Sequence, residues 1–245
     1  MAPARKERDR HPGRALRDVR ERAGGFCVRG DDEPRGAQAG VDFQKRSMAS
    51  SERDERRRSA FGEYVKSVVA ERFVFVDECS TNTSLAPVYA RAPKGRRVRG
   101  KAPRNWGKNV SLVCAIDSEG VKASMSVEGS VDGKAFEGYV EGFLAPKLRR
   151  GQIVVMDNLS VHKSKRVRCL IEKTGATLLF LPAYSPDFNP IEEVFSKVKG
   201  ILRKTAARTR EALAQATGHA LDAISREDIR GCYTDCGYRL SVQSL

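Results

Sequence analysis

The sequence has little of what zinc proteins, disulfide-stapled proteins and membrane proteins depend on. Its 245 residues include only 3 histidines and 1 tryptophan. Its cysteines (Cys27, Cys79, Cys114, Cys169, Cys232 and Cys236) contain no pair at CxxC spacing, which disfavours a zinc site. They read as reduced thiols, mostly buried, with Cys232 and Cys236 one helical turn apart. No apolar run approaches the roughly 20 residues that span a bilayer, and the N-terminal stretch lacks the apolar centre of a signal peptide. A soluble, cytoplasmic protein is expected.

Positive charge is what the chain has in excess. Lys and Arg number 45 against 31 Asp and Glu, a net charge of +14, and the pI is near 9.8. That balance favours a polyanionic partner, either nucleic acid or an anionic membrane. The length suits one domain with a sizeable core plus appendages.

Three regions follow one another. Residues 1–48 hold nine apolar residues besides alanine and show no periodicity, so they read as a disordered or non-native extension. Residues 49–72 run from SSERDERRRSA into FGEYVKSVVAERF, where Phe61, Tyr64 and Val68 or Val69 recur at helical spacing, and read as a linker helix. Residues 73–240 read as the folded domain.

That domain opens with FVFVDE, an apolar run ending in acids that suits a strand buried on both faces. SLVCAID and VKASMSVEG read as two more strands joined by a Ser-Glu-Gly turn. A helix is expected after Asp132, with Phe136, Tyr139, Val140, Phe143 and Leu144 on it and Pro146 near its end. Then come the strand QIVVMDN, a helix over KSKRVRCLIEKTG closed by Gly175, the strand TLLFLP, and further amphipathic helices. Three strands, helix, strand, helix, strand and helices predict an α/β domain, a mixed sheet flanked by helices.

Asp77 and Asp157 each end a buried strand, where a carboxylate is poorly solvated and needs compensation. Hydrogen bonding or helix capping would serve for either one alone. If adjacent strands bring the two within about 4 to 6 Å, repulsion pushes one towards protonation unless a cation lies between them. With oxygen ligands and no Cys or His cluster beside them, that cation would be Mg²⁺ or Mn²⁺. In SPDFNPIEEVFSKVKGIL, Asn189 is a good N-cap and Glu192 stands three residues after it, so a capping box is one reading of Glu192. With Ile191 at 0° and about 100° per residue, the stripe of Val194, Phe195, Val198, Ile201 and Leu202 is bordered by Glu192, whereas Glu193 points to solvent.

Together VDE at 76–78, VMDN at 155–158 and LPAYSPDFNPIEEVFSKVK at 181–199, with 34 residues between Asp157 and Glu192, resemble the mariner superfamily of DDE transposases. Within it the sequence is most similar to the bacterial insertion-sequence branch, whose catalytic domains read FxDE, MDNxxxH and YSPDxNPIE. The resemblance covers roughly Arg72 to Tyr238. It implies a ribonuclease-H-like fold with a five-stranded sheet, in which Asp77, Asp157 and Glu192 bind two divalent metal ions, Mg²⁺ with Mn²⁺ as a substitute. The implied activity is cleavage at transposon ends and strand transfer into target DNA, at a TA dinucleotide and by a homodimer in a synaptic complex.

His162 matches the family's histidine five residues after the second Asp, and reads as packing or hydrogen-bonding at the start of the next helix. Asn158 and Asn189 match family positions beside the acids and are expected to orient them or the loop. Residues 88–109 carry eight basic side chains (Arg91, Lys94, Arg96, Arg97, Arg99, Lys101, Arg104 and Lys108) and no acid, a run suited to DNA phosphates. Trp106 reads as an anchor for it. A second basic set, Lys197, Lys199, Arg203, Lys204, Arg208 and Arg210, reads equally as part of that groove or as helix solubility. Family members begin with a helix-turn-helix domain, and the N-terminal residues here resemble none. The expectation is a catalytic half produced by an upstream frameshift, truncation or mis-called start, with residues 1–48 read from another frame, the alternative being a DNA-binding remnant without transposition activity.

Overall fold

The structure is a computed structural model and describes residues 50–105 and 109–241. The expected N-terminal extension, Trp106 and Lys108 lie outside the described residues. Among the described residues no helix is long and apolar enough to cross a membrane.

The run rich in Val and Phe forms β1 (Phe73–Thr81), the central strand of a five-stranded sheet of order β3-β2-β1-β4-β5. β2 (Val110–Asp117) and β3 (Gly120–Glu128) form the expected hairpin, and β2 lies antiparallel to β1. β4 (Ile153–Met156) and β5 (Thr177–Phe180) lie parallel on the other side. The sheet is mixed, as expected. In the parallel pair Phe73 faces Ile153 and Phe75 faces Val155. Asp77 stands two residues past Phe75 in β1, and Asp157 two past Val155, just beyond the end of β4.

Strand alternation splits the apolar side chains into two layers. Phe73, Phe75, Ile153 and Val155 pack against α4 (Pro190–Thr205), α5 (Arg210–Asp222) and α6 (Arg226–Asp235). Val74, Val76, Val154 and Met156 pack against α2 (Gly133–Tyr139), the π-type turn Val140–Leu144 and α3 (Lys165–Lys173). Each such side chain, fully buried, contributes about 1.5–3 kcal/mol of transfer free energy. Phe143, on the helix as expected, is 46% exposed beyond the point where α2 widens into the π-type turn.

Aromatic packing fixes the helices that carry the site. Phe75 meets Tyr233 and Tyr238 edge-on, with ring centres 5.2 and 4.9 Å away. The Tyr233 hydroxyl donates to the Phe73 carbonyl at 3.0 Å, and the Tyr238 hydroxyl to the Phe188 carbonyl at 2.8 Å. α6 is thereby tied both to β1 and to the loop before α4.

The helix expected over 49–72 is α1 (Glu55–Ser67), capped by the Asp54 side chain. Its buried face is not the expected one: Arg58, Phe61 and Val65 are covered, whereas Tyr64 is 40% and Val69 56% exposed. A polar tertiary contact decides this. The Arg58 guanidinium makes a two-pronged pair with Asp187 at 3.1 and 2.6 Å and lies 4.5 Å from the centre of the Phe188 ring, which also packs on Phe61.

Candidate active site

β1 delivers Asp77 to the face covered by α4, where it is only 7% exposed. Its Oδ1 accepts from the Glu78 backbone N–H at 2.7 Å and its Oδ2 from the Asn189 side-chain amide at 2.8 Å. Asn189 stands at the N-cap position of α4, with Pro190 opening the helix, yet its side chain makes no cap bond. The capping box is therefore not formed. The side chain instead donates through its amide nitrogen to Asp77, and Glu192 is left free of that local duty.

Asp157 follows β4 directly and is held from one side. Its Oδ1 accepts from the Leu159 backbone N–H at 2.9 Å and lies 2.6 Å from Nδ1 of His162. His162 is wholly buried in the 3-10 turn Ser160–Lys163 before α3, against the Phe136 ring, with Nε2 2.9 Å from Oε1 of Glu78. Asn158 donates to the Leu181 carbonyl at 2.5 Å, joining the end of β4 to the loop after β5. It orients the loop and makes no bond to an acid.

Asp77, Glu78, Asp157 and Glu192 line one cavity of about 620 Å³, together with Asn158, Asn189 and the 181–186 loop. Glu192 is exposed into it, at the border of the buried stripe formed by Ile191, Val194, Phe195, Val198 and Leu202. Glu193, expected to point to solvent, is exposed on the side of Cys232 of α6. A larger hollow of about 1060 Å³, lined by Arg226, Arg230 and Arg239, lacks paired carboxylates. Chemistry, not size, selects the site.

Burial pushes the Asp77 carboxyl up to about 7, and the negative charges of Glu192, Asp157 and Glu78 add to it against the Glu78 N–H. Burial also raises Asp157, but the His162 hydrogen bond and the Leu159 N–H outweigh it and hold that carboxyl below its usual value. Burial opposes a charged His162, yet its bonds to Asp157 and Glu78 carry it up to about 9. Among the described residues neither Asp77 nor Glu192 has an ion-pair partner. A buried carboxylate crowded by like charges, with hard oxygen donors around one cavity, fits Mg²⁺ or Mn²⁺. Among the described residues no three His, Cys, Asp or Glu side chains are placed to hold a metal ion together. The acids border an open cavity rather than a finished cage.

Arg91, Lys94, Arg96, Arg97, Arg99, Lys101 and Arg104 are all exposed on a segment that turns back at Pro93–Arg96. None of them lines the acidic cavity. The base of the segment is held by Arg208, which donates to the carbonyls of Thr83 and Leu85 at 2.8 and 3.0 Å. Of the second basic set, Lys197 pairs with Asp228 and Arg210 with Glu128, so these two and Arg208 have structural partners. Cys79, Cys114 and Cys236 are buried, Cys232 half-buried and Cys169 exposed, and all five are free thiols.

A mixed five-stranded sheet flanked by helices, with Asp77 midway along β1 and Asp157 just past the end of β4, defines a ribonuclease-H-like fold. The model for the DDE superfamily endonuclease family matches residues 72–214, and the chain belongs to that family. No curated protein matches it. Among solved structures it is similar to the Mos1 mariner paired end complex with Mn, at TM-score 0.66 and 20% identity over 81% of this chain and 64% of that one. It is also similar to a pre-cleavage Mos1 transpososome, at TM-score 0.61 and 17% identity over 83% and 69%. The catalytic domain of Mos1 mariner transposase matches at TM-score 0.54 and 17% identity, over 81% of this chain and the whole of that one.

Proposed function

We propose that this chain is the catalytic domain of a transposase, of the bacterial insertion-sequence branch of the mariner superfamily, that cuts DNA at transposon ends and joins them to target DNA. The observation that carries this reading is that Asp77, Asp157 and Glu192 line one cavity. Asp77, Asp157 and Glu192 would hold two Mg²⁺ ions, or Mn²⁺. Bound there, such ions activate an attacking oxygen and stabilise the leaving one in an in-line phosphoryl displacement.

The chain's own groups prepare that chemistry. Asn189 and the Glu78 N–H fix both oxygens of Asp77, and His162 fixes one oxygen of Asp157. Arg91 to Arg104, exposed and outside the cavity lining, would neutralise DNA phosphates without reading bases. The similar Mos1 structures are transpososome and paired-end assemblies, which supports a homodimer in a synaptic complex. Purified chain, given Mg²⁺ or Mn²⁺ and end-bearing DNA, is expected to nick it, while Asp157→Ala binds the DNA as tightly but does not. Absence of nicking by the parent, with equal binding by Asp157→Ala, overturns this reading in favour of a DNA-binding remnant.

A further inference from the structure

Neighbouring residues on a strand face opposite ways, so Asp77 and Glu78 leave β1 on different sides of the sheet. Asp77 turns to Asn189, and Glu78 to the side where His162 sits under α2. His162 spans the two carboxylates, with Nδ1 2.6 Å from Asp157 and Nε2 2.9 Å from Glu78. We propose that Glu78 is a positioning residue, which through His162 locks the carboxylate of Asp157 in the orientation that presents its second oxygen to the acidic cavity. This rests on the reading of Asp157 as a metal ligand and adds a residue to the machinery.

Three features set this chain of bonds apart from ordinary core packing. His162 is 0% exposed, so each ring nitrogen needs a partner, and backbone carbonyls would serve without bringing charge into the core. Both partners are instead carboxylates that line the cavity. Both contacts to Asp157 use Oδ1, and among the described residues Oδ2 has no hydrogen bond. Finally, Glu78 has a second oxygen, Oε2, buried without a partner, an arrangement that costs stability and that an apolar residue would avoid. Groups that orient a metal's ligands change its affinity by about 10- to 100-fold when removed.

The test is Mn²⁺ titration of the full chain by calorimetry, with folding followed separately by circular dichroism. Glu78→Ala is expected to weaken Mn²⁺ binding by about tenfold, and Glu78→Gln, which keeps an oxygen for the Nε2 proton, to restore most of it. His162→Asn keeps a donor near Asp157 but cannot reach Glu78. It should match Glu78→Ala, and the double variant should be no worse than either, because the two residues act in series. Parental Mn²⁺ affinity in Glu78→Ala, or additive losses in the double variant, overturns the proposal. Should Glu78→Ala fail to fold, His162→Asn alone decides, since parental affinity in it also overturns the proposal. Asp157→Ala in the same titration separates the two levels: if it too binds Mn²⁺ like the parent, the ligand reading of Asp157 has failed. If only Asp157→Ala loses affinity, the ligand reading stands and the positioning role falls.

Discussion

Asp77 stands two residues past Phe75 on β1 and Asp157 two past its partner Val155, just beyond β4, yet one is surrounded by an amide and three other acids and the other leans on an imidazole. The first carboxyl is driven up to about 7 and the second is held down. Two neighbouring strands thus give one acid that resists ionisation and one that welcomes it. The difference comes from side chains beyond the strands. It also implies opposite pH behaviour for the metal-free protein. Raising the Asp77 pKa gives stability that is complete below about 3.8 and lost as pH climbs through about 7. Lowering that of Asp157 gives stability present above about 3.8 and lost on acidification.

The largest effect should erase the contrast altogether. Asp77→Asn, Asp157→Asn and Glu192→Gln should each reduce nicking to background, whereas Glu193→Gln, beside Cys232, should remain active; equal loss in Glu193→Gln would undo the choice of Glu192. Next comes His162, whose raised pKa gives stability complete below about 6.5 and lost as pH rises through about 9. In EDTA the parent should lose on the order of 3 kcal/mol of unfolding free energy between those pH values, and His162→Asn should flatten the curve. A flat parental curve by urea titration would refute the charged imidazole.

The comparison is sharpest in a matched pair of substitutions. At pH 8 without metal, Asp77→Asn should raise unfolding free energy, on the order of 2 kcal/mol, while Asp157→Asn should lower it. Shifts of the same sign would mean that the two environments are not opposed. Arg58→Ala should cost about 1 kcal/mol. Its faster hydrogen exchange should appear in residues 184–192, on the Asp77 side, while residues 157–163 stay protected. Smallest is a change in salt dependence: Arg96→Ala and Arg97→Ala should each reduce the slope of log affinity against log salt by about 1, with no effect on either aspartate.

The element order and the two acids were legible because burial on both faces leaves an apolar run, and Asp77 and Asp157 interrupt two such runs; Asp77 does not end its strand as expected, since β1 pairs with β2 as far as Thr81. Glu192 could be told from Glu193 by helical angle alone. What escaped the sequence depends on partners far along the chain. Asn189 has the local signature of a cap, but Asp77, 112 residues away, takes its amide. Tyr64 looked like core at helical spacing, but Asp187, 129 residues from Arg58, turns the arginine inward. Glu78 was quoted only as part of VDE. Strand alternation already placed it on a covered face, where a carboxylate needs a donor, and that signal pointed to His162 among only 3 histidines.

The reach from Asp77 to Asn189 also sets a timetable. At typical synthesis rates the 112 residues between them take on the order of ten seconds to make. Through that interval a growing chain can form β1 to β3 and later pair β4, but Asp77 has no amide and α4, with its glutamate, does not yet exist. Both aspartates are present while the chain still cannot cut. The last helices to be made close the apolar face of the sheet and complete the acid set in the same event, so a nascent chain acquires its nuclease chemistry only on becoming a finished fold.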